Sequence, residues 1–172
     1  SSLTYLTEYP TPILGSFDPK FLKLPEEVLI TVMRHHQRYF SVEDAGGKLA
    51  PRFIAVMNTA ADPDGLVRRG NERVLEARFN DAHFFWDFDQ QKRLADRVPD
   101  LAHVTFQREL GSYLLKTERN VELARELAGE LGLDAESAAR AALLLKCDLT
   151  TEMVKEFSEL QGVIGGLYAR VQ

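Results

Sequence analysis

One cysteine, one tryptophan and no long apolar run leave several classes of function without the residues they need. Cys147 stands alone, so the chain can form neither an internal disulfide nor a zinc site built on cysteines. That composition fits a reducing compartment, and a cytoplasmic protein is expected. No stretch approaches the roughly 20 apolar residues a membrane-spanning helix requires, and no signal-peptide pattern is present, so no membrane partner is expected. Histidine is scarce: His35, His36, His83 and His103 are the full set. His35 and His36 are adjacent, but neighbours on a helix diverge by about 100° and do not converge on one ion. There is no Walker loop and no glycine-rich dinucleotide fingerprint. Catalytic, cofactor-binding and metal-binding residues are therefore all expected to be absent.

Basic charge is also in short supply. The 172 residues carry 21 Lys/Arg against 26 Asp/Glu, a net charge of −5, which argues against a simple nucleic-acid binder. The deficit is uneven. Residues 1–80 hold 10 basic and 10 acidic side chains, residues 81–172 hold 11 and 16. Any RNA contact is thus expected in the first half. Arg34 and Arg38 lie there in a window free of acids from Val28 to Val42, and Arg68, Arg69 and Arg73 cluster with Arg78. Arg34, Arg38, Arg68, Arg69 and Arg73 are the candidate RNA contacts; the alternative is that they are solvated helix faces.

What is present is enough apolar residue, 45% of the chain, to bury a core. Pro10, Pro12, Pro19 and Pro25 break up the start, so TYLTEYP and PILGSF read as short extended segments. Pro25 opens a helix over Val28, Leu29, Val32, Met33 and His36, ending near Arg38 to Phe40. Two β-prone runs flank Asp44-Ala45-Gly46-Gly47, predicting a hairpin, with Pro51 at an edge or bulge. Asp62-Pro63-Asp64-Gly65 reads as a turn. After Asn71 the pattern is helical: Val74 to Trp86, then about Gln91 to Val98, then on through Val104 and Leu110, with Gly111 as a break. Val121 to Leu131 stripe a further helix closed by Gly132. Asp134 caps the next one, with Leu133 and Ala138 as a staple, and Ala138, Ala141, Ala142, Leu145 and Leu149 form its narrow face. The expected fold is α+β and predominantly helical, with N-terminal short strands and a β-hairpin over residues 1–65 and a C-terminal helical bundle over 66–172.

Three blocks carry more than periodicity. LPEEVLITVMRHHQRYF (24–40), GNERVLEARFNDAHFF (70–85) and KCDLTTEMVKEFSELQG (146–162) are motif-like throughout, and a weaker fourth runs from Phe106 through Leu110-Gly111 to Lys116 and Arg119. In that order they resemble the β-subunit of the bacterial two-subunit glycyl-tRNA synthetase. The departures are Phe79 for the usual Leu, Cys147 for Ala, Ser158 for Pro and Ile164 for Met. The family's β-subunit is several times longer, so the resemblance implies an internal piece of it, upstream of the anticodon-binding region. It also implies that catalysis belongs to the separate α-subunit, that ATP and magnesium serve the holoenzyme, and that the partners are the α-subunit and tRNA. The helical region resembles an HD-like domain. A working site of that kind needs an adjacent His-Asp pair, yet the residues after the four histidines are His, Gln, Phe and Val. The alternative function is a degenerate HD-like scaffold with no RNA contact.

Three clusters invite a structural reading. Leu145, Leu149 and Met153 are spaced as one buried helix stripe, while Asp148, Glu152 and Glu156 form an acidic face paired with Lys146 and Lys155. Phe84, Phe85, Trp86 and Phe88 could stack on bases, but their spacing favours the core. Finally, Gly70 would give its segment a special backbone conformation and Asn71 would cap the helix. Arg73 would then project from the first turn towards Glu76 or a tRNA phosphate.

Overall fold

The computed structural model describes residues 7–172, so part of the extended reading over TYLTEYP lies outside the described residues. The protein is mostly helical, with a few short antiparallel strands near the N-terminus and a helical C-terminal part. Two compact units divide it, Ser1–Phe84 and Phe85–Gln172.

The first unit is built on a three-stranded antiparallel sheet in the order β1-β3-β2, with β1 Thr11–Ser16, β2 Phe40–Glu43 and β3 Leu49–Met57. The expected hairpin is β2-β3. Its turn is held by Asp44, whose Oδ1 accepts from Gly46 N at 2.7 Å and Lys48 N at 3.1 Å, while Gly47 takes φ +74°. Pro51 lies in the central strand, where a proline would cost a ladder bond. It is tolerated because the β2-β3 register shifts between Ser41 and Glu43, opposite that position. Gly15 lies under the Phe53 ring so closely that a Cβ would stand 2.3 Å from Phe53 Cζ.

Pro25 caps α1 (Glu26–Thr31) in an extended conformation, just before the first helical residue. Its carbonyl accepts from Val28 N at 3.1 Å. The helix then widens into a π turn over Val32–His36, and Gln37 ends it. Arg38 reverses the chain at φ +59°, the left-handed region, at a cost of about 1–2 kcal/mol for a side-chain-bearing residue. The long helix α2 (Leu66–Asp89) starts earlier than the sequence suggested. Asp62 accepts from Val67 N at 3.1 Å and Arg68 N at 2.9 Å, satisfying donors that the helix itself leaves open. Gly70 and Asn71 are therefore inside the helix, which corrects the expected start at Asn71. Phe79 of α2 takes Phe17 edge-on at 4.9 Å and Phe21 at 5.4 Å, the centre of this unit's core.

In the second unit a 3₁₀ stretch, Leu94–His103, replaces the helix expected over Gln91 to Val98. The helical reading through Val104 and Leu110 is also corrected. Thr105–Gln107 (β4) pairs antiparallel with Gly111–Ser112 (β5) across a turn closed by Leu110 N on Gln107 O at 3.1 Å, and Gly111 leaves that turn at φ +88°. Lys116 Nζ lies 3.6 Å from the Phe106 ring centroid, linking two residues of the fourth motif. α3 (Tyr113–Glu130) ends in a Schellman closure: Leu133 N donates to Ala128 O at 2.8 Å and Gly132 N to Gly129 O at 3.2 Å. Asp134 caps α4 (Ala135–Leu144) as expected, through Glu136 N and Ser137 N. Leu133 stays 65% exposed and makes no buried staple. Beyond α4 the chain breaks into short turns: 3₁₀ at Cys147–Thr150, α5 at Glu152–Glu156, 3₁₀ at Ser158–Leu160, then α6 at Ile164–Val171. The single stripe through Leu145, Leu149 and Met153 therefore does not form. Leu145 is 58% exposed while Met153 is fully buried.

Candidate functional site

The block at 146–162 is explained by buried hydrogen bonds. Asp148 is buried, and its Oδ2 accepts from Gly162 N at 2.5 Å, tying the first part of the block to its last residue. Gly162 holds φ +84°, and Gly165 approaches so near that a Cβ would meet Asp148 Cβ at 3.2 Å. Thr151 donates to Asp148 O at 2.6 Å and caps α5 by accepting from Val154 N at 3.2 Å. Asp89, at the end of α2, completes the cap. Its Oδ1 accepts from Glu152 N at 3.0 Å and its Oδ2 from Met153 N at 2.9 Å. Arg97 pairs with Asp89 at 3.1 Å and donates to Thr150 O at 3.2 Å, and the Tyr168 hydroxyl donates to Asp89 Oδ2 at 3.1 Å. Sequence reasoning missed Asp89 and Arg97, because nothing local marks a carboxylate and a guanidinium that meet through the fold.

This network is structural. Asp89 and Arg97 are spent on each other, Asp148 is bonded through Oδ2 while its buried Oδ1 has no hydrogen-bond partner among the described residues, and the picture of a single acidic face is corrected. Asp148 is buried, and the Lys155–Glu152 pair at 2.5 Å lies on the surface as expected. Cys147 is fully buried, and burial pushes its thiol up to about 11. Burial and the adjoining Asp89 carboxylate also raise the Tyr168 hydroxyl. Among the described residues no group of three or more His, Cys, Asp or Glu could hold a metal ion. The aromatic run splits. Phe85 and Trp86 pack on Phe157 and Tyr168, whereas Phe84 is 61% and Phe88 45% exposed, against the core reading for those two.

The five candidate arginines are all exposed. None has an ion-pair partner among the described residues, and Arg73 stands well inside α2 without the expected pairing to Glu76. Two of them, Arg68 and Arg69, converge at the start of α2. A Cβ on Gly65 would meet Arg68 Nη2 at 3.2 Å and Arg69 Nη1 at 3.3 Å. Arg69 and Arg73 line one open groove with Asp18, Glu72 and Glu76. Arg38 lines a different groove, which reaches α2 at Val67 and Asn71. Arg34, on the π turn, lines none of the grooves described.

All 172 residues match the family described as glycyl-tRNA synthetase beta subunit. The chain is 56% identical over 178 residues to the glycine–tRNA ligase beta subunit of Acidobacterium capsulatum, covering 99% of this chain and 25% of that protein. It is 54% identical to that of Moorella thermoacetica, covering 97% and 24%, and 52% identical to that of Streptococcus gordonii, covering 95% and 25%. It therefore spans about a quarter of the length of these relatives.

Proposed function

Because the chain belongs to the glycyl-tRNA synthetase beta-subunit family, we propose that it is part of a two-subunit glycine–tRNA ligase, in which it supports tRNA recognition and subunit assembly. ATP and magnesium then act on the α-subunit, the other partner, and the protein works in the cytoplasm. A scaffold without RNA contact is not favoured by relatives whose names are those of a tRNA ligase.

The observation that carries the tRNA part is the set of exposed arginines that form no close salt bridge among the described residues, Arg68, Arg69 and Arg73 on α2 together with Arg34 and Arg38. Exposed guanidiniums not locked in close salt bridges are suited to phosphate oxygens, with each contact releasing counterions. The test is tRNA binding by the full-length α/β assembly across a salt series. Replacing Arg68, Arg69 and Arg73 with alanine is expected to weaken binding and to flatten the plot of log affinity against log salt by about 0.7–0.9 per lost contact. An unchanged affinity and slope, with the thermal melt of the assembly intact, would overturn the reading.

A further inference from the structure

The groove that holds Arg38 differs in kind from its neighbours. It has a volume of about 720 Å³ and lies where the π turn, the start of β2 and the end of β3 meet α2. That is within the range of about 300–1,000 Å³ typical of small-molecule sites. Among the described residues Arg38 is the one charged side chain that lines it, and the carboxylate beside it, Glu8, is engaged by Asn58 Nδ2 at 2.6 Å. The groove beside Arg68 is lined by Asp62 and Asp64, and the groove beside Arg69 and Arg73 by Asp18, Glu72 and Glu76. Here the lining amides are Gln37 and Asn71, with the Asn58 amide already bonded to Tyr9 N and Glu8 Oε2, set around apolar residues that include Met57. Phe40 adds an aromatic ring, 47% exposed.

Arg38 is held there against its own backbone preference. It is the only described non-glycine residue with positive φ. The next residue fixes it. Tyr39 N donates to Met33 O at 2.8 Å, the Tyr39 ring stacks on Phe53 at 4.6 Å, and the hydroxyl donates to Asn71 Oδ1 at 2.7 Å. That last bond also orients the Asn71 amide, leaving its Nδ2 hydrogens for another acceptor. Glycine would occupy the turn without strain. Strain imposed by well-packed surroundings, next to a π turn, is concentrated in proteins at ligand sites.

We propose that this groove takes one unpaired nucleotide of the tRNA, with the base stacked on Phe40, its edge met by the Gln37 and Asn71 amides, and the phosphate on Arg38. The inference rests on the tRNA reading above and adds a base contact to what is otherwise a phosphate surface. The chemistry matches. Unpaired RNA bases are bound by aromatic stacking and amide hydrogen bonds, and backbone phosphate by arginine.

Two variants of the full-length α/β assembly separate the contributions. Phe40→Leu keeps an apolar side chain but removes the π face, so tRNA affinity should fall about 30-fold, the middle of the range for one lost base stack, with the salt slope unchanged. Arg38→Gly removes the guanidinium and relieves the backbone. Affinity should fall with the slope reduced by about 0.7, one single-strand phosphate contact, while the melting temperature stays level or rises. The Arg68, Arg69, Arg73 alanine variant is measured alongside. If it weakens binding while both groove variants bind tRNA as the parent does, the nucleotide groove is overturned and the phosphate surface stands. If the groove variants weaken binding and the triple variant does not, the groove stands and the surface on α2 falls. If all three bind as the parent does, both are overturned. A loss of affinity in Arg38→Gly with no change of slope, or in Phe40→Leu with a changed slope, also sinks the assignment of phosphate to one and base to the other.

Discussion

Asp89 supplies two acceptors to the start of α5, balances the buried Arg97 charge and accepts from Tyr168. Removing one partner of such a pair leaves the other as an uncompensated buried charge. Asp89→Asn is therefore expected to cost about 3–5 kcal/mol of unfolding free energy, read from urea denaturation. Arg97→Met in the Asp89→Asn background should cost less than the two single changes added together, since the stranded guanidinium is then gone. A strictly additive pair would show that the two side chains do not act as a unit. Buried hydroxyl and thiol groups give a second, alkaline signature. The Cys147 thiol, ordinarily near 9, is raised to about 11, and Tyr168 is raised as well. A raised folded-state pKa means that the unfolded chain loses its proton first. The corresponding stability is present below pH 9 and is lost as pH climbs from about 9 towards 11. Urea midpoints that fall across that window in the parent, and fall less in Cys147→Ala, are the expected result; identical pH profiles would exclude the thiol as a cause.

At the scale of elements, the hairpin and the closure of α3 were legible because Asp44 to Gly47 and Gly132-Leu133-Asp134 each carry their own turn chemistry. The start of α2 was not. The pair Gly70-Asn71 looks like a cap, yet the real cap is Asp62, whose side chain reaches Val67 N and Arg68 N across a turn already accounted for by Pro63 and Gly65. One aspartate served two local patterns, and only one of them was read. A measurable consequence follows at Gly70, which is helical with open space where a Cβ would go. Gly70→Ala should stabilise the protein by about 0.5–1 kcal/mol, the helix-propensity difference. A loss of stability would restore the special backbone role. Asp62→Ala should act in the other direction. The backbone N–H groups beside Asp62 hold its carboxyl below its ordinary value, so the stability it adds is present above pH 3.8 and fades as pH falls further. The misread stretch at 104–110 has a similar origin. Val104 to Leu110 is too short for periodicity to separate helix from strand, and the pairing that makes it a strand comes from Gly111 and Ser112 beyond it.

For the whole molecule, the family was legible in three blocks of sequence, and the structure supplies the reason one of them is worded as it is. The Asp148 to Gly162 bond and the Thr151 cap need those residues at those positions, and they close on Asp89, outside the block. The candidate site was legible only as a list of arginines. Which of them share a groove depends on the sheet and on α2, and an exposed phenylalanine beside Arg38 has no sequence signature of its own. Charge then limits what this chain can do alone. It carries net −5, and the excess of acids falls in residues 81–172. An arginine surface of this size on an acidic protein supplies only a few phosphate contacts, and non-specific affinities of that order correspond to dissociation constants of about 10⁻⁴ to 10⁻⁶ M at physiological salt. The isolated chain should therefore bind glycine tRNA in that weak range, discriminate poorly against other tRNAs, and show no glycine-dependent ATP–pyrophosphate exchange. Fluorescence anisotropy with labelled tRNA and an exchange assay on the same preparation would check both. Nanomolar, tRNA-specific binding would mean that recognition is concentrated in this quarter of the subunit, and exchange activity would place adenylate chemistry on residues that carry no nucleotide-binding motif.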